Sequence, residues 1–547
     1  MKKKLLVNFF LIFFFTSAFS QNTVGVISAE NEVEDGFILF SNHTESFLID
    51  NCGRLINQWT SEFIPGGAVY LLPNGNLLRA GRSTDGSAIG FGGMGGIIEI
   101  FNWDGDLIWQ FDYSTDQFRQ HHDIYPLPNG NVLILAATSI SQADAIQAGR
   151  DPNLLIEGEL YGEQIVEVEP VGFNQGNIVW EWNIVDHLIQ DFDNTKDNFG
   201  IVGDNPQKMD VNFLNGGDGS ANWLHINSMQ YYEELDQIVL SSRNLSEIWI
   251  IDHSTTTAQA ATGSGGTYGK GGDLLYRWGN PQSYQQGTED DRKLYGQHYP
   301  NFIPNGLVDE GKIILFNNGN GRTPGFSEVF IIDPPEDSPG AYSYTAGTAY
   351  GPLTPDYIYD GASINDDFFS AIVSSAQRLP NGNTFICEGR TGEFFEIDSN
   401  DNIVWEYVNP VNNATGEFST QGDPPSPQNL TFRAIRYTPD YPGFVGQDLT
   451  PGDALEINPD FEPCETLSVQ DFNSEIVSLY PNPANNIIHV ESNNDITKYE
   501  IYNVLGERIQ QNYLVDNSIN LTELSQGIYI INLYSETRKI SKRIIKQ

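Results

Sequence analysis

The sequence predicts an all-β chain, a six-bladed β-propeller followed by a small C-terminal β-sandwich. Two repeats and the composition carry that prediction. A Pro-Asn-Gly turn recurs as Pro73-Asn74-Gly75-Asn76, Pro128-Asn129-Gly130-Asn131, Pro304-Asn305-Gly306 and Pro380-Asn381-Gly382-Asn383. Each copy stands between apolar runs, where Asn-Gly with both residues at positive φ makes a tight hairpin corner. A second unit, a Gly or Asn turn before an apolar strand ending in Trp, recurs at Trp59, Trp109, Trp180, Trp278 and Trp405. The 53 glycines and 12% aromatic residues, against four methionines, fit many short strands rather than helices.

In chain order, Lys2–Lys4 and the apolar run Leu5–Ala18 read as a signal peptide over residues 1–20, with cleavage before Gln21. That run falls short of the roughly 18–20 residues a spanning helix needs, so no membrane span is expected. The propeller is expected over 21–450. Five blades begin near Gly67, His121, Trp223, Gln297 and Ser374, and residues 37–59 supply three strands of a sixth that lacks its first. Phe432–Tyr437 is the candidate for the missing strand, so the ends of the repeat close the ring and leave no open sheet edge. The tryptophans are expected to pack between neighbouring blades. A Pro-, Asp- and Glu-rich linker is expected at 451–472 and a separate unit at 473–547.

The formal net charge is −44, and the last unit carries eight acids against seven bases, so nearly all the excess falls on the propeller. Such a body repels nucleic acid and anionic lipid, and an anionic substrate would need a locally basic site. The three cysteines, Cys52, Cys387 and Cys464, exclude a disulfide scaffold and a Cys-rich metal site. Cys52 and Cys464 stand where a bond could cross the ring closure, a matter for geometry.

Aligning the blades on their turns gives the candidate site. Six residues before the turn proline stand Gly67, His122, His298 and Ser374, and His225 takes the same register where Tyr231-Tyr232-Glu233-Glu234 replaces the turn. The chain has eight histidines, and three fall in one register of three successive blades. The first strand of each blade lines the central channel, so these three are expected to converge at one mouth. The returning second strands bring Arg243 and Arg390 beside them, and Arg433 shares the histidine register in the closing strand. A basic mouth in an acidic body is the condition set above. His43, His187, His253 and His489 fall outside the register and read as structural. Three converging histidines could equally hold a divalent metal. The neighbouring arginine and the lack of a carboxylate in register favour no metal.

These motifs resemble the bacterial arylsulfate sulfotransferases that work without 3′-phosphoadenosine-phosphosulfate. The resemblance rests on His121-His122-Asp123-Ile124, on Trp223-Leu224-His225-Ile226-Asn227-Ser228 with Ser241-Ser242-Arg243, and on Gln297-His298 with Asn317-Asn318-Gly319-Asn320. It implies ping-pong transfer of a sulfuryl group from a phenolic sulfate ester to another phenol through a sulfohistidine, without a cofactor. It implies His298 as nucleophile and His122, His225 and Arg243 as the groups that bind and neutralise the sulfuryl oxygens. His121, Arg390 and Arg433 are further substrate-binding candidates, and the choice between His121 and His122 stays open. The chain departs from the family in having only about sixteen residues between Gln21 and the first propeller strand, where related proteins carry a β-sandwich. Loops 185–222, 254–272 and 334–370 are expected to cover the mouth and set substrate choice.

The last unit, with Tyr480-Pro481-Asn482-Pro483 and Gly527-Ile528-Tyr529, resembles the type A sorting domain that sends proteins through the type IX secretion system. It implies that secretion machinery as a partner, and a secreted or cell-surface destination. Two other readings compete with sulfuryl transfer. One is a polysaccharide lyase in which His and Arg act on a uronate, and the other is a non-catalytic extracellular binding propeller.

Overall fold

In this computed structural model the described residues are 23–361, 368–465, 478–492, 496–503, 508–514, 517–534 and 539–547. The expected signal peptide lies outside them. The chain divides into two compact units, Met1–Leu467 and Ser468–Gln547.

Six antiparallel sheets of four or five strands form the blades of the first unit. Blade one holds Phe37–Asn42, Glu45–Asp50 and Leu55–Thr60, and its innermost strand is Ala434–Tyr437, paired Phe37 to Tyr437 and Phe40 to Ala434. Blade two holds Pro65–Leu71, Leu77–Arg82, Gly96–Phe101 and Leu107–Asp112, and blade three Phe118–Pro126, Val132–Ser141, Glu159–Val171 and Gln175–Asn183. Blade four holds Ile226–Tyr232, Gln237–Ser242, Glu247–Asp252 and Tyr276–Trp278, and blade five His298–Phe302, Ile313–Asn317, Glu328–Ile332 and Tyr357–Tyr359. Blade six holds Ser375–Arg378, Thr384–Glu388, Glu393–Ile397 and Ile403–Val408, and gains a fifth strand, Gly25–Ala29, along Ile403–Val408. That fifth strand was not expected, because Gly25-Val26-Ile27-Ser28-Ala29 carries neither repeat motif.

The turn motif works differently from the expected two-residue corner. In Leu72-Pro73-Asn74-Gly75-Asn76, Gly75 N donates to Leu72 O at 2.9 Å and Leu72 N to Asn76 O at 2.7 Å. Only the glycine has positive φ, +86° at Gly75 and +88° at Gly130. This is a three-residue loop with the glycine as left-handed bulge. The asparagines brace it from their side chains, Asn74 Oδ1 accepting from Asn76 N at 3.1 Å and Asn129 Oδ1 from Asn131 N at 2.9 Å.

The recurring tryptophans latch blades one, two, three, four and six to the next blade. Trp59 Nε1 donates to Asn102 O of blade two at 2.8 Å, Trp109 to Gln175 O of blade three at 2.9 Å and Trp180 to Thr255 Oγ1 beyond blade four's third strand at 3.1 Å. Trp278 donates to Pro352 O at 2.7 Å, and Trp405 of blade six reaches Asn51 O of blade one at 2.7 Å. Between blades the layers are apolar, as where Leu133, Leu135 and Trp182 pack with Met229, Leu240 and Trp249. Large side chains of this kind contribute about 3–5 kcal/mol each against truncation.

Residues 451–465 pack on the propeller rather than hanging free as a linker. Leu55 N donates to Asp453 O at 3.0 Å, Gln421 N to Ile457 O at 2.9 Å, and Cys464 is bonded to Cys52. The second unit has one sheet of Ser478–Tyr480, Ile487–Glu491 and Ser518–Asn520 and another of Lys498–Asn503, Arg508–Tyr513, Gly527–Tyr534 and Lys539–Lys546. Ile488, Val490, Ile501, Ile519, Ile531 and Ile544 fill the space between them. No helix among the described residues is long and apolar enough to cross a membrane.

Candidate active site

Strand reversal decides which loops reach the channel mouth. First-to-second and third-to-fourth connections share one end of a blade, and the other connections share the end with the histidines. Loops 254–272 and 334–356 therefore lie at the turn end, where Tyr268 Oη donates to Leu235 O at 2.7 Å and Tyr342 Oη to Gln237 Oε1 at 2.7 Å. Loop 185–222 and the described residues 360–361 and 368–370 do lie at the mouth. So do residues 83–95 of blade two, a Gly-rich loop outside those expected to cover the mouth.

His122, in the irregular stretch of strand Phe118–Pro126, and His225, just before strand Ile226–Tyr232, lie in the left-handed region, at φ +52° and +50°. That twist turns their rings toward each other, with centroids 4.7 Å apart. The equivalent position in blade two is Gly67, where a Cβ would fall 1.7 Å from His122 O, so only glycine fits there. In blade five the left-handed residue is Tyr299, one beyond His298. The blade five turn is longer, closing only where Ile303 N donates to Lys312 O, and the histidine register slips by one.

His298 is 4% exposed and its tautomer is fixed by its surroundings. Asn318 Nδ2 donates to Ser370 O at 2.6 Å and Val373 O at 2.9 Å, which leaves Oδ1 facing His298 Nδ1 at 2.7 Å. A carbonyl oxygen only accepts, so Nδ1 carries the proton and Nε2 keeps its lone pair. Val373 N–H approaches that lone pair at 3.2 Å. Val373 and Ser374 both hold positive φ, +57° and +89°, a strained conformation for a β-branched residue. Burial, then the Arg243 charge, pushes His298 down to about 3.

Arg243 comes from the bend after blade four's second strand, its N–H donating to His225 O at 3.1 Å. Its side chain passes beside Gly296, just ahead of His298. It donates to Asn244 Oδ1 at 3.1 Å and, among the described residues, has no carboxylate in ion-pair range. Burial lowers it somewhat from the usual arginine value. Asn222 Nδ2 lies 2.6 Å from His225 Nδ1, an arrangement that puts the proton of His225 on Nε2. Burial, then Arg243 and the other histidines, holds His225 well below the usual histidine range; His122 is lowered likewise, with His225 the main charged cause after burial.

The two adjacent histidines point different ways. His121 Nε2 is 2.9 Å from Glu163 Oε2 and its Nδ1 2.9 Å from His122 Nδ1, while the His122 ring faces His225. Arg433 sits beneath the cluster, donating to Asp123 Oδ2 at 2.8 Å and Tyr70 Oη at 2.6 Å and lying 3.8 Å over the Tyr299 ring. Those bonds hold it firmly charged and commit its guanidinium to the channel wall, unlike the substrate contact expected for it. Arg390 is exposed, with its backbone N–H bonded to Ser370 Oγ at 3.1 Å.

Phe91, on the 83–95 loop, caps the cluster with its ring 5.6 Å from His225 and 6.2 Å from His122, stacked at 19° on the latter. The loop comes this close because Gly93 has no side chain, a Cβ there falling 2.1 Å from His122 Nε2. Asn318 stood in a quoted motif without a role, and the glycines around Phe91 were its only signal. Glu163, in the middle of a strand, had none.

Residues 23–429 match the family model described as Arylsulfotransferase (ASST), and residues 478–547 match a secretion system C-terminal sorting domain. The sorting domain sends the chain to the cell surface or the medium. No curated protein matches. Similar solved structures include a protein of unknown function from Bacteroides caccae, at 11% identity and TM-score 0.38, covering 74% of this chain and 99% of that one. Another is the periplasmic gluconolactonase PpgL of Pseudomonas aeruginosa, at 9% identity and TM-score 0.35, covering 74% and 97%. Neither likeness carries an argument about activity. With about three quarters of its length under the one family model, the chain belongs to the arylsulfotransferase family.

Proposed function

We propose that this protein moves a sulfuryl group from a phenolic sulfate ester to a phenol, without 3′-phosphoadenosine-phosphosulfate, in two displacements through a sulfohistidine at His298. What carries the reading is the pairing of a buried neutral imidazole whose Nε2 lone pair is free of a proton with an arginine that has no carboxylate partner. The first is a nucleophile at neutral pH and the second a preformed counter-charge for an anion.

In the first displacement His298 Nε2 attacks sulfur, the S–O(aryl) bond breaks and the phenoxide leaves. Arg243 and His225 Nε2–H donate to the sulfuryl oxygens as charge builds on them. Phe91 supplies an apolar wall for the aryl ring. In the second, the acceptor phenol gives its proton to a neutral histidine of the cluster and its oxygen attacks sulfur, returning the N–S electron pair to His298.

The test is incubation of the mature protein and His298→Ala with 4-nitrophenyl sulfate, with and without phenol. The expected result is steady nitrophenolate release that needs phenol, and an added sulfuryl mass on the intact wild type that His298→Ala lacks. Turnover without any adduct, or an adduct that persists in His298→Ala, refutes the sulfohistidine.

A further inference from the structure

Behind His122 lie two buried side chains, His121 and Glu163, that the proposed chemistry does not use. Glu163 is 3% exposed, His121 1% and His122 4%. Glu163 Oε1 accepts from Ile226 N at 3.0 Å, which pins the carboxylate at the start of blade four. Its Oε2 lies 2.9 Å from His121 Nε2, and His121 Nδ1 lies 2.9 Å from His122 Nδ1.

Two facing Nδ1 atoms at that distance must share one proton, since two lone pairs or two N–H groups would repel. A carboxylate only accepts, so His121 is protonated on Nε2. In the neutral relay His121 therefore offers its Nδ1 lone pair, His122 carries its proton on Nδ1, and His122 Nε2 is bare. That nitrogen has no hydrogen-bond partner among the described residues and sits under Phe91 and Gly93, at the mouth.

We infer that Glu163 and His121 form a proton relay behind His122, making His122 Nε2 the base that takes the acceptor's phenolic proton and the acid that returns one to a leaving phenoxide. This rests on the proposed sulfuryl transfer, and it departs from the sulfuryl-binding role that the family resemblance implies for His122, because a bare Nε2 cannot donate to a sulfuryl oxygen. The step balances. The phenol O–H bond breaks as the Nε2–H bond of His122 forms, and the Nδ1 proton of His122 passes to His121 Nδ1. The positive charge then rests on His121 beside Glu163, and the phenoxide oxygen attacks sulfur. In the other half-reaction the same protons move back.

The relay answers a physical difficulty. His122 faces His225, His298 and Arg243 from the neighbouring blades, with His121 beside it, and burial and these groups together hold it below the usual histidine range. A proton kept on its ring would sit among like charges. Passed on by one hydrogen bond, the charge meets a carboxylate instead. Glu163 is a positioning residue, acting through His121, and only His122 touches the substrate.

The test compares wild type with Glu163→Gln, which keeps the shape and an acceptor for Ile226 N but removes the charge and lets an N–H face His121. With all eight histidines labelled with nitrogen-15 and the His122 signals assigned by their loss in His122→Gln, imidazole shifts report the tautomer. The wild type is expected to show protonated Nδ1 and bare Nε2 on His122, and Glu163→Gln a mixture. This readout needs no sulfuryl transfer, so it stands or falls separately from the proposed function. With 4-nitrophenyl sulfate as donor, whose leaving group needs no proton, Glu163→Gln is expected to keep the first burst and to slow transfer to phenol roughly 10²-fold. A wild-type His122 protonated on Nε2 overturns the relay, whatever happens to the variant. So does a folded Glu163→Gln with unchanged tautomer, or one in which both half-reactions slow equally.

Discussion

Asn318→Ala deletes the side-chain acceptor that holds the proton on His298 Nδ1. With the 2.7 Å bond gone, the buried N–H is left unsatisfied and the ring can take up the other tautomer, with Nε2 protonated and no longer nucleophilic. A buried unsatisfied donor costs about 1–3 kcal/mol, and Val373 N–H, still 3.2 Å from Nε2, offsets part of that. A net loss of about 1.5–2 kcal/mol corresponds to sulfohistidine forming roughly 10–30-fold more slowly. Rapid-quench measurement of the nitrophenolate burst without acceptor reads this step alone. The substitution also strips donors from Ser370 O and Val373 O, so thermal unfolding must be followed in parallel, with Asn318→Ala in the His298→Ala background as the control for fold. A burst within about twofold of wild type in a folded Asn318→Ala protein refutes the argument that this amide sets the nucleophile.

Acid should destabilise the propeller through its mouth. His298, His122 and His225 have folded values below the unfolded value near 6.5, so the unfolded chain binds more protons. Their contribution is full above about pH 6.5 and is lost as pH falls below it, for His298 toward about 3, each adding up to about 1.4 kcal/mol per pH unit, and urea midpoints against pH should flatten in His225→Asn. Because His298 stays neutral down to about 3, the burst rate should be flat between about pH 5 and pH 8; a single step near 6.5 would contradict the burial argument. Arg433→Met leaves Asp123 charged and buried and should cost about 3–5 kcal/mol of stability; a variant that keeps its melting temperature and loses only substrate affinity would return Arg433 to substrate contact. Replacing both Cys52 and Cys464 with Ser opens a closure spanning 412 residues and should cost up to about 5 kcal/mol, read as a lower denaturant midpoint.

The architecture was legible because a propeller writes itself repeatedly. Four turns and five tryptophans gave the blade count, and the gap in the first blade pointed to a closing strand near residue 434. Non-repeating elements left no such trace, and Gly25–Ala29 became a strand only because blade six presents a free edge to it. The histidines were legible by register, but register does not fix direction. His121 and His122 are neighbours in sequence and face opposite ways because His122 alone takes the left-handed conformation. Arg433 shares the register too, yet Asp123 captures it. Partners such as Asn318 and Glu163 come from second and third strands, and their proximity depends on how far each blade tilts, which no spacing encodes.

The bond between Cys52 and Cys464 also determines how the ring bears mechanical load. The closing strand Ala434–Tyr437 is held by few hydrogen bonds and stands near the end of the propeller chain, so tension on the C-terminal unit would otherwise peel it first. Cys464 lies between the two. Any pull arriving from residue 468 onward reaches the covalent link before it reaches the strand, and passes into blade one through Cys52. The tail can be tugged, held or cut beyond Cys464 while the ring stays shut.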